Sequence, residues 1–182
     1  MGKLIISTHI TVDGVIGPDP AQWGTFEGES ERHKYDQLLA ADAFVLGRKV
    51  FEGFAAYWPT VTDDTGFAER TNSLPKYIAS TTLHEPLTWN ASLIRGDLTD
   101  ALTVLKKRHR GNLISFGAGG LARELVNRGL VDEIHFWVDP AVWGEGQRPF
   151  DGTRVRMQLL SATTFDSGVA LLTYRPTSAA GG

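Results

Sequence analysis

Short apolar runs alternate along this chain with amphipathic segments, and their order predicts an α/β fold. Leu4, Ile5 and Ile6, followed by Thr8, Ile10 and Val12, predict a strand over 3–11 that ends in a turn at Asp13-Gly14. Ser30 is placed to cap a helix whose buried side includes Tyr35, Leu38 and Leu39. Ala43-Phe44-Val45-Leu46 is continuously apolar, which suits a strand covered on both faces. Val50, Phe51, Phe54 and Tyr57 then recur at helical spacing up to Trp58-Pro59, where the proline opposes continuation. Tyr77-Ile78-Ala79 and Leu93-Ile94 read as further strands. Asp97 opens a helix carrying Leu98, Ala101, Leu102 and Leu105 on one side, with Gly111 as its stop.

The stretch Leu113-Ile114-Ser115-Phe116-Gly117-Ala118-Gly119-Gly120-Leu121 passes from an apolar strand through bare backbone into a helix, which Gly129 closes. Val131 to Val138 is another strand, and 155–165 with 169–174 form a hairpin around Asp166-Ser167-Gly168. The pattern predicts one domain over 1–176, built on a mostly parallel sheet with an antiparallel C-terminal hairpin at one edge and helices on both faces. Residues 177–182 are expected to be a disordered tail. Gly17 to Gly28, with Pro18, Pro20, Trp23 and Phe26, reads as a loop: either a lid or a surface loop pinned by Trp23.

Composition narrows the chemistry. A net charge of -3 over 182 residues leaves no electrostatic footprint for nucleic acid. The absence of cysteine excludes disulfides, thiolate metal sites and a cysteine nucleophile, and fits a cytoplasmic location. The N-terminal apolar run is too short to span a membrane. The five histidines show no zinc spacing, so no metal is expected. His9 and His135 fall in predicted strands and face either the core or a pocket, a structural role being the better supported.

In an open α/β sheet, ligands gather beyond the carboxyl ends of the parallel strands. Gly47-Arg48-Lys49, Ser80-Thr81-Thr82 and Gly117-Ala118-Gly119-Gly120 each follow a predicted strand. Together they offer cations, hydroxyls and open amides, the inventory that a phosphorylated dinucleotide needs. Each has a plainer alternative: a solvated helix start, a turn-forming hydroxyl, a tight packing point. No Gly-x-Gly-x-x-Gly opens the first helix, and neither a Gly-Lys-Ser/Thr phosphate loop nor a Gly-x-Ser-x-Gly elbow occurs.

These residues resemble the dihydrofolate-reductase-like superfamily, in the branch that contains the reductase domain of bacterial riboflavin biosynthesis and its stand-alone relatives. The marks are Val12-Asp13-Gly14-Val15-Ile16-Gly17, Leu46-Gly47-Arg48-Lys49-Val50-Phe51-Glu52 and Tyr77-Ile78-Ala79-Ser80-Thr81-Thr82-Leu83. The most specific is the glycine turn read on through Gly129-Leu130-Val131-Asp132-Glu133-Ile134 to Pro140, Gly144 and Gly146. The resemblance implies an NADPH-dependent reductase that transfers hydride to a C=N or C=O group of a small pterin-like or ribosylaminopyrimidine-like substrate, and a homodimer. It implies that Gly47, Arg48 and Lys49 lie near the cofactor's phosphates, Ser80 and Thr81 by the adenosine phosphate, Gly117 to Gly120 around the diphosphate, and Ile16 and Gly17 beside the nicotinamide.

The resemblance implies Glu29 as the catalytic candidate, nearest the position where dihydrofolate reductases carry an acidic residue that binds the pterin and assists protonation, with Glu27 and Glu31 as neighbours and water as the alternative proton source. Phe116 stands where riboflavin-type reductases typically carry Glu. A non-catalytic nucleotide-binding or regulatory protein that retains the cofactor scaffold is the competing reading.

Overall fold

The computed structural model describes residues 1–17 and 19–177. The elements in chain order are β1 (Leu4–Thr11), α1 (Gly28–Leu39), β2 (Ala41–Gly47), α2 (Arg48–Tyr57), α3 (Phe67–Ser73), β3 (Lys76–Ala79), β4 (Ala91–Leu93), α4 (Leu98–Arg108), β5 (Asn112–Phe116), α5 (Gly120–Asn127), β6 (Glu133–Asp139), β7 (Arg156–Thr164) and β8 (Ala170–Thr177). They form an α/β fold with an eight-stranded, mostly parallel sheet that ends in an antiparallel hairpin. The chain divides into two compact units.

The first unit, 1–3 and 34–116, holds β4-β3-β2-β5 in that order, all parallel. The uninterrupted apolar run of β2 is explained by burial, since Ala43, Phe44, Val45 and Leu46 are fully covered. Phe44 and Leu46 join Leu38, Phe51, Leu74, Ile78 and Ile114 in one core. The second unit, 4–33 and 117–182, holds β1-β6-β8-β7, with β1 and β6 parallel and β6, β8 and β7 antiparallel. Its core includes Trp137, Phe165, Val169 and Leu171.

Several boundaries move relative to the sequence pattern. Helix α1 starts at Gly28, so Ser30 lies inside its first turn, and the Ser30 hydroxyl donates to the Glu27 carbonyl at 3.0 Å. Leu39, at the last position of α1, is 50% exposed and leaves the buried side to Leu38. Helix α4 ends at Arg108, three residues before Gly111, where the His109 N–H closes it on the Leu105 carbonyl. Pro176 and Thr177 belong to β8, paired with Met157 and Arg156, while 178–182 lie outside the described residues. Helix α3 has no counterpart in the pattern. At seven residues it is too short for an apolar period to show, and Asp63 holds its start by accepting from the Phe67 and Ala68 N–H groups.

Lys76 is a buried cation in the first unit. Its side chain is fully covered, its Nζ donates to the Asn72 carbonyl at 2.7 Å, and it stands 4.0 Å from the centroid of the Trp89 ring. Burial lowers its pKa from 10.5 to about 8. Below about 8 both folded and unfolded chains hold this proton, and above 10.5 neither does. In between, the unfolded chain binds a proton that the folded one has released, so rising pH favours folding. Denaturant titrations across this window are expected to show wild type gaining on the order of 3 kcal/mol from this group. Lys76→Met is expected to lose that gain, and equal pH slopes for the two proteins would contradict it.

Candidate functional site

In the first unit, β2 runs through Gly47 straight into α2. Gly47 is the N-cap and has no side chain with which to accept from the first-turn N–H groups. The contrast is α4, where the Asp97 carboxylate accepts from the Thr99 and Asp100 N–H groups at 2.8 and 3.2 Å. Arg48 opens α2 half-exposed, held only loosely by Glu52 at 3.7 Å, and Lys49 beside it is exposed. Gly47 is in register with Ala79 at the end of β3, so Ser80 and Thr81 leave the sheet at the same edge as Arg48. The Ser80 hydroxyl accepts from the Thr82 and Leu83 N–H groups, each at 3.1 Å, and thereby folds the turn. Thr81 is exposed.

The glycine turn opens the second unit. Gly117, at φ +82, adopts a conformation that disfavours any side chain, and its N–H donates to the Ser7 carbonyl of β1 at 3.1 Å. Ala118 is buried, with its carbonyl accepting from the Phe150 N–H. Gly119 is the N-cap of α5 and provides no side-chain cap. Gly120, the first helical residue, is exposed, and a Cβ added there would meet nothing within 4 Å. Phe116, the last residue of the first unit, packs between Phe44 and Phe54, with ring centroids 5.3 and 5.5 Å away.

Ile16 and Gly17 belong to the same unit as the glycine turn, and Gln147 links them. The Ile16 N–H donates to the Gln147 carbonyl at 2.9 Å. A Cβ on Gly119 would lie 3.3 Å from Gln147 Nε2, and one on Gly17 would lie 3.9 Å from its Oε1. Asp13 fastens this arrangement. It accepts from the Thr11 hydroxyl and from the Trp143 and Gly144 N–H groups, and these bonds hold its pKa down at about 2. Arg148 reaches the Asp13 carbonyl from the other side. Gln147 was not among the residues expected at the site; its signal is its position just after the Gly144 and Gly146 of the resemblance.

Glu29 is exposed in the first turn of α1, at an open pocket of about 450 Å³ lined also by Glu27, Arg32, Asp166 and Ser167. A second group of polar side chains lies deeper. His9 Nδ1 stands 2.7 Å from Asp139 Oδ2, and Asp139 Oδ1 accepts from the Thr25 N–H at 2.6 Å. Phe26 and Trp137 pack on the His9 ring, with centroids 4.6 and 6.0 Å away. His135 pairs instead with Glu133, at 3.0 Å. No cluster of three potential metal ligands occurs among the described residues, and no helix among them is long and apolar enough to cross a membrane.

Each unit has a helix start capped by glycine, Gly47 beside a half-exposed Arg48 in the first and Gly119 beside the open space at Gly120 in the second, and a helix start without a side-chain acceptor suits an anion. The model of the RibD C-terminal domain matches residues 2–171, and the chain belongs to that family, the riboflavin-biosynthesis reductase-domain branch of the dihydrofolate-reductase-like superfamily. "Uncharacterized protein YyaP" of Bacillus subtilis (strain 168) is 27% identical over 177 residues, covering 94% of each chain. The fold is similar to a putative riboflavin biosynthesis protein from Shewanella sp. PV-4, with a TM-score of 0.69 at 17% identity, covering 96% of this chain and 99% of that one. It is also similar to Acinetobacter baumannii RibD, with a TM-score of 0.66 at 15% identity; 98% of this chain matches 59% of that protein.

Proposed function

We propose that this protein is a cytoplasmic NADPH-dependent reductase acting on a small pterin-like or ribosylaminopyrimidine-like substrate, and that it works as a homodimer. The observation that carries the reading is the uncapped start of α5 behind Gly117–Gly120, where the first-turn amides face no side-chain acceptor and Gly120 leaves room for a phosphate. Family membership supports the chemistry. The nicotinamide, when bound, supplies hydride, and the protein's part is to bind and orient.

The residues divide that work. Gly117, Ala118, Gly119 and Gly120 receive the diphosphate, and Ile16 and Gly17 flank the nicotinamide. Gly47, Arg48 and Lys49 attract phosphate through an open helix start and two cations, and Thr81 with the turn held by Ser80 borders the adenosine phosphate. Glu29, at the open pocket, is the acid assigned to the substrate. Dimerisation has a matching surface in β7, an edge strand whose nine residues are all exposed and which carries the apolar Met157, Leu159 and Leu160.

Loss of NADPH absorbance is expected with dihydrofolate or with 5-amino-6-(5-phosphoribosylamino)uracil; binding of NADPH without oxidation by either would favour the non-catalytic reading. Gly120→Asp is expected to fold as well as wild type, because an acid suits a helix start, yet to bind NADPH at least tenfold more weakly by repelling the diphosphate. Arg48→Ala removes a charge-assisted bond of roughly 1.5–3 kcal/mol. It is therefore expected to weaken NADPH by about one to two powers of ten and NADH hardly at all, whereas equal losses would remove Arg48 from the phosphate that NADPH alone carries. Light scattering is expected to find a dimer that Leu159→Lys converts to monomer, and a monomeric wild type would refute the assembly.

A further inference from the structure

A capping side chain grows from the Cβ of the N-cap residue, and at Gly119, the N-cap of α5, that position is bare. A Cβ built there would stand 3.3 Å from Nε2 of Gln147, in the same unit. The Gln147 amide therefore lies on the approach that a cap of α5 would take. It caps nothing, and its side chain has no hydrogen-bond partner among the described residues. An amide nitrogen donates and does not accept. Beside the first N–H groups of α5, which also donate, it creates a place with donors on two sides, and an anion is the group that satisfies both. No acidic residue stands in the first turn of α5 to answer them.

The backbone is fixed on both sides of this amide. Before it, Gly146 at φ +138 packs so closely that a Cβ would meet the Gly17 carbonyl oxygen at 2.5 Å and the Val15 side chain at 2.7 Å. The Gln147 carbonyl itself accepts from the Ile16 N–H at 2.9 Å. After it, the Arg148 guanidinium holds the Asp13 carbonyl, while the Asp13 carboxylate accepts from the Trp143 and Gly144 N–H groups at 3.1 and 2.7 Å. A solvated surface side chain has no need of such restraint. A side chain that meets a ligand does, because less freedom is then lost on binding. Two arginines of these segments are directed elsewhere, Arg148 to Asp13 and Arg123 of α5 to the Asp151 carbonyl at 2.9 Å. Gln147 and Gly120 are both exposed, so a ligand reaches them without any part of the fold opening.

We propose that the side-chain amide of Gln147 is a cofactor-binding group that donates from Nε2 to the diphosphate at the start of α5. This rests on the reductase reading above, in which the glycine turn receives that diphosphate. Gln147 then serves both parts of the dinucleotide. Its side chain holds the diphosphate, and its carbonyl fixes Ile16 in the segment that flanks the nicotinamide. The absence of a side chain at Gly119 acquires a second purpose, since it leaves the space into which the amide reaches.

The test is calorimetric titration of wild type, Gln147→Leu, Gln147→Glu and Gln147→Lys with three probes. NADPH and 2′-phospho-ADP-ribose carry the diphosphate, and 2′-AMP does not. All four proteins are expected to give the same circular dichroism spectrum and melting temperature, because the side chain is exposed and bonds to nothing. Gln147→Leu, which keeps the bulk and loses the donor, should weaken both diphosphate probes about tenfold. Gln147→Glu, which sets a negative charge against the phosphates, should weaken them about a hundredfold, and Gln147→Lys, which keeps a donor, should bind them at least as tightly as wild type. Affinity for 2′-AMP should be the same in all four. In 15N NMR of wild type, the Gln147 side-chain amide resonances are expected to move with 2′-phospho-ADP-ribose and to stay with 2′-AMP. A Gln147→Leu protein that binds NADPH like wild type, one that loses as much affinity for 2′-AMP as for NADPH, or amide resonances indifferent to 2′-phospho-ADP-ribose overturns the proposal alone. A wild type that binds neither diphosphate probe overturns the reductase reading and this one with it.

Discussion

A helix that begins directly after a strand leaves its first backbone N–H groups without partners, and those groups are costly to abandon. The chain meets that demand in two ways. At α4 an aspartate supplies the acceptor, and the helix start is closed. At α2 and α5 the capping position is glycine, so nothing in the side chain answers the amides. The difference between a capped helix start and an open one is one residue wide here.

The second unit is organised by carboxylates at strand ends. Asp13 gathers the hydroxyl of its own turn and two amides of the segment after β6, while Arg148 returns to its backbone carbonyl. Gln147 is thereby held against the Gly17 and Gly119 positions. Asp139 gathers a different pair, the His9 ring and the Thr25 amide. Loops that would otherwise be independent are fixed to β1 and β6 by charge-assisted hydrogen bonds, which are stronger than neutral ones.

Most of the architecture could be read in the chain because its signals are local. The four-residue apolar run of β2, the Asp97 cap and the Asp166-Ser167-Gly168 hairpin each state their structure within a few residues. Failures occurred where geometry depends on something distant or too short. Seven residues of α3 cannot display a period, and Ser30 resembles a cap until the positive φ of Gly28 starts the helix two residues earlier. The candidate site divides in the same way. Glycine turns and cations announce themselves, but the His9–Asp139 pair spans 130 positions and Gln147 is an ordinary amide in sequence. Only the parallel register of β1 and β6 brings His9 opposite Trp137 and Thr11 opposite Asp139.

One carboxylate serving two masters has a thermodynamic consequence. Asp139 gives one oxygen to the loop at Thr25 and the other to the ring of His9. Any shift of the loop that breaks the Thr25 bond also moves the carboxylate that orients the imidazole. By reciprocity, a change in the His9–Asp139 bond alters the hold on the loop by the same free energy. The loop that carries Phe26 and the ring on which Phe26 packs thus share one anchor.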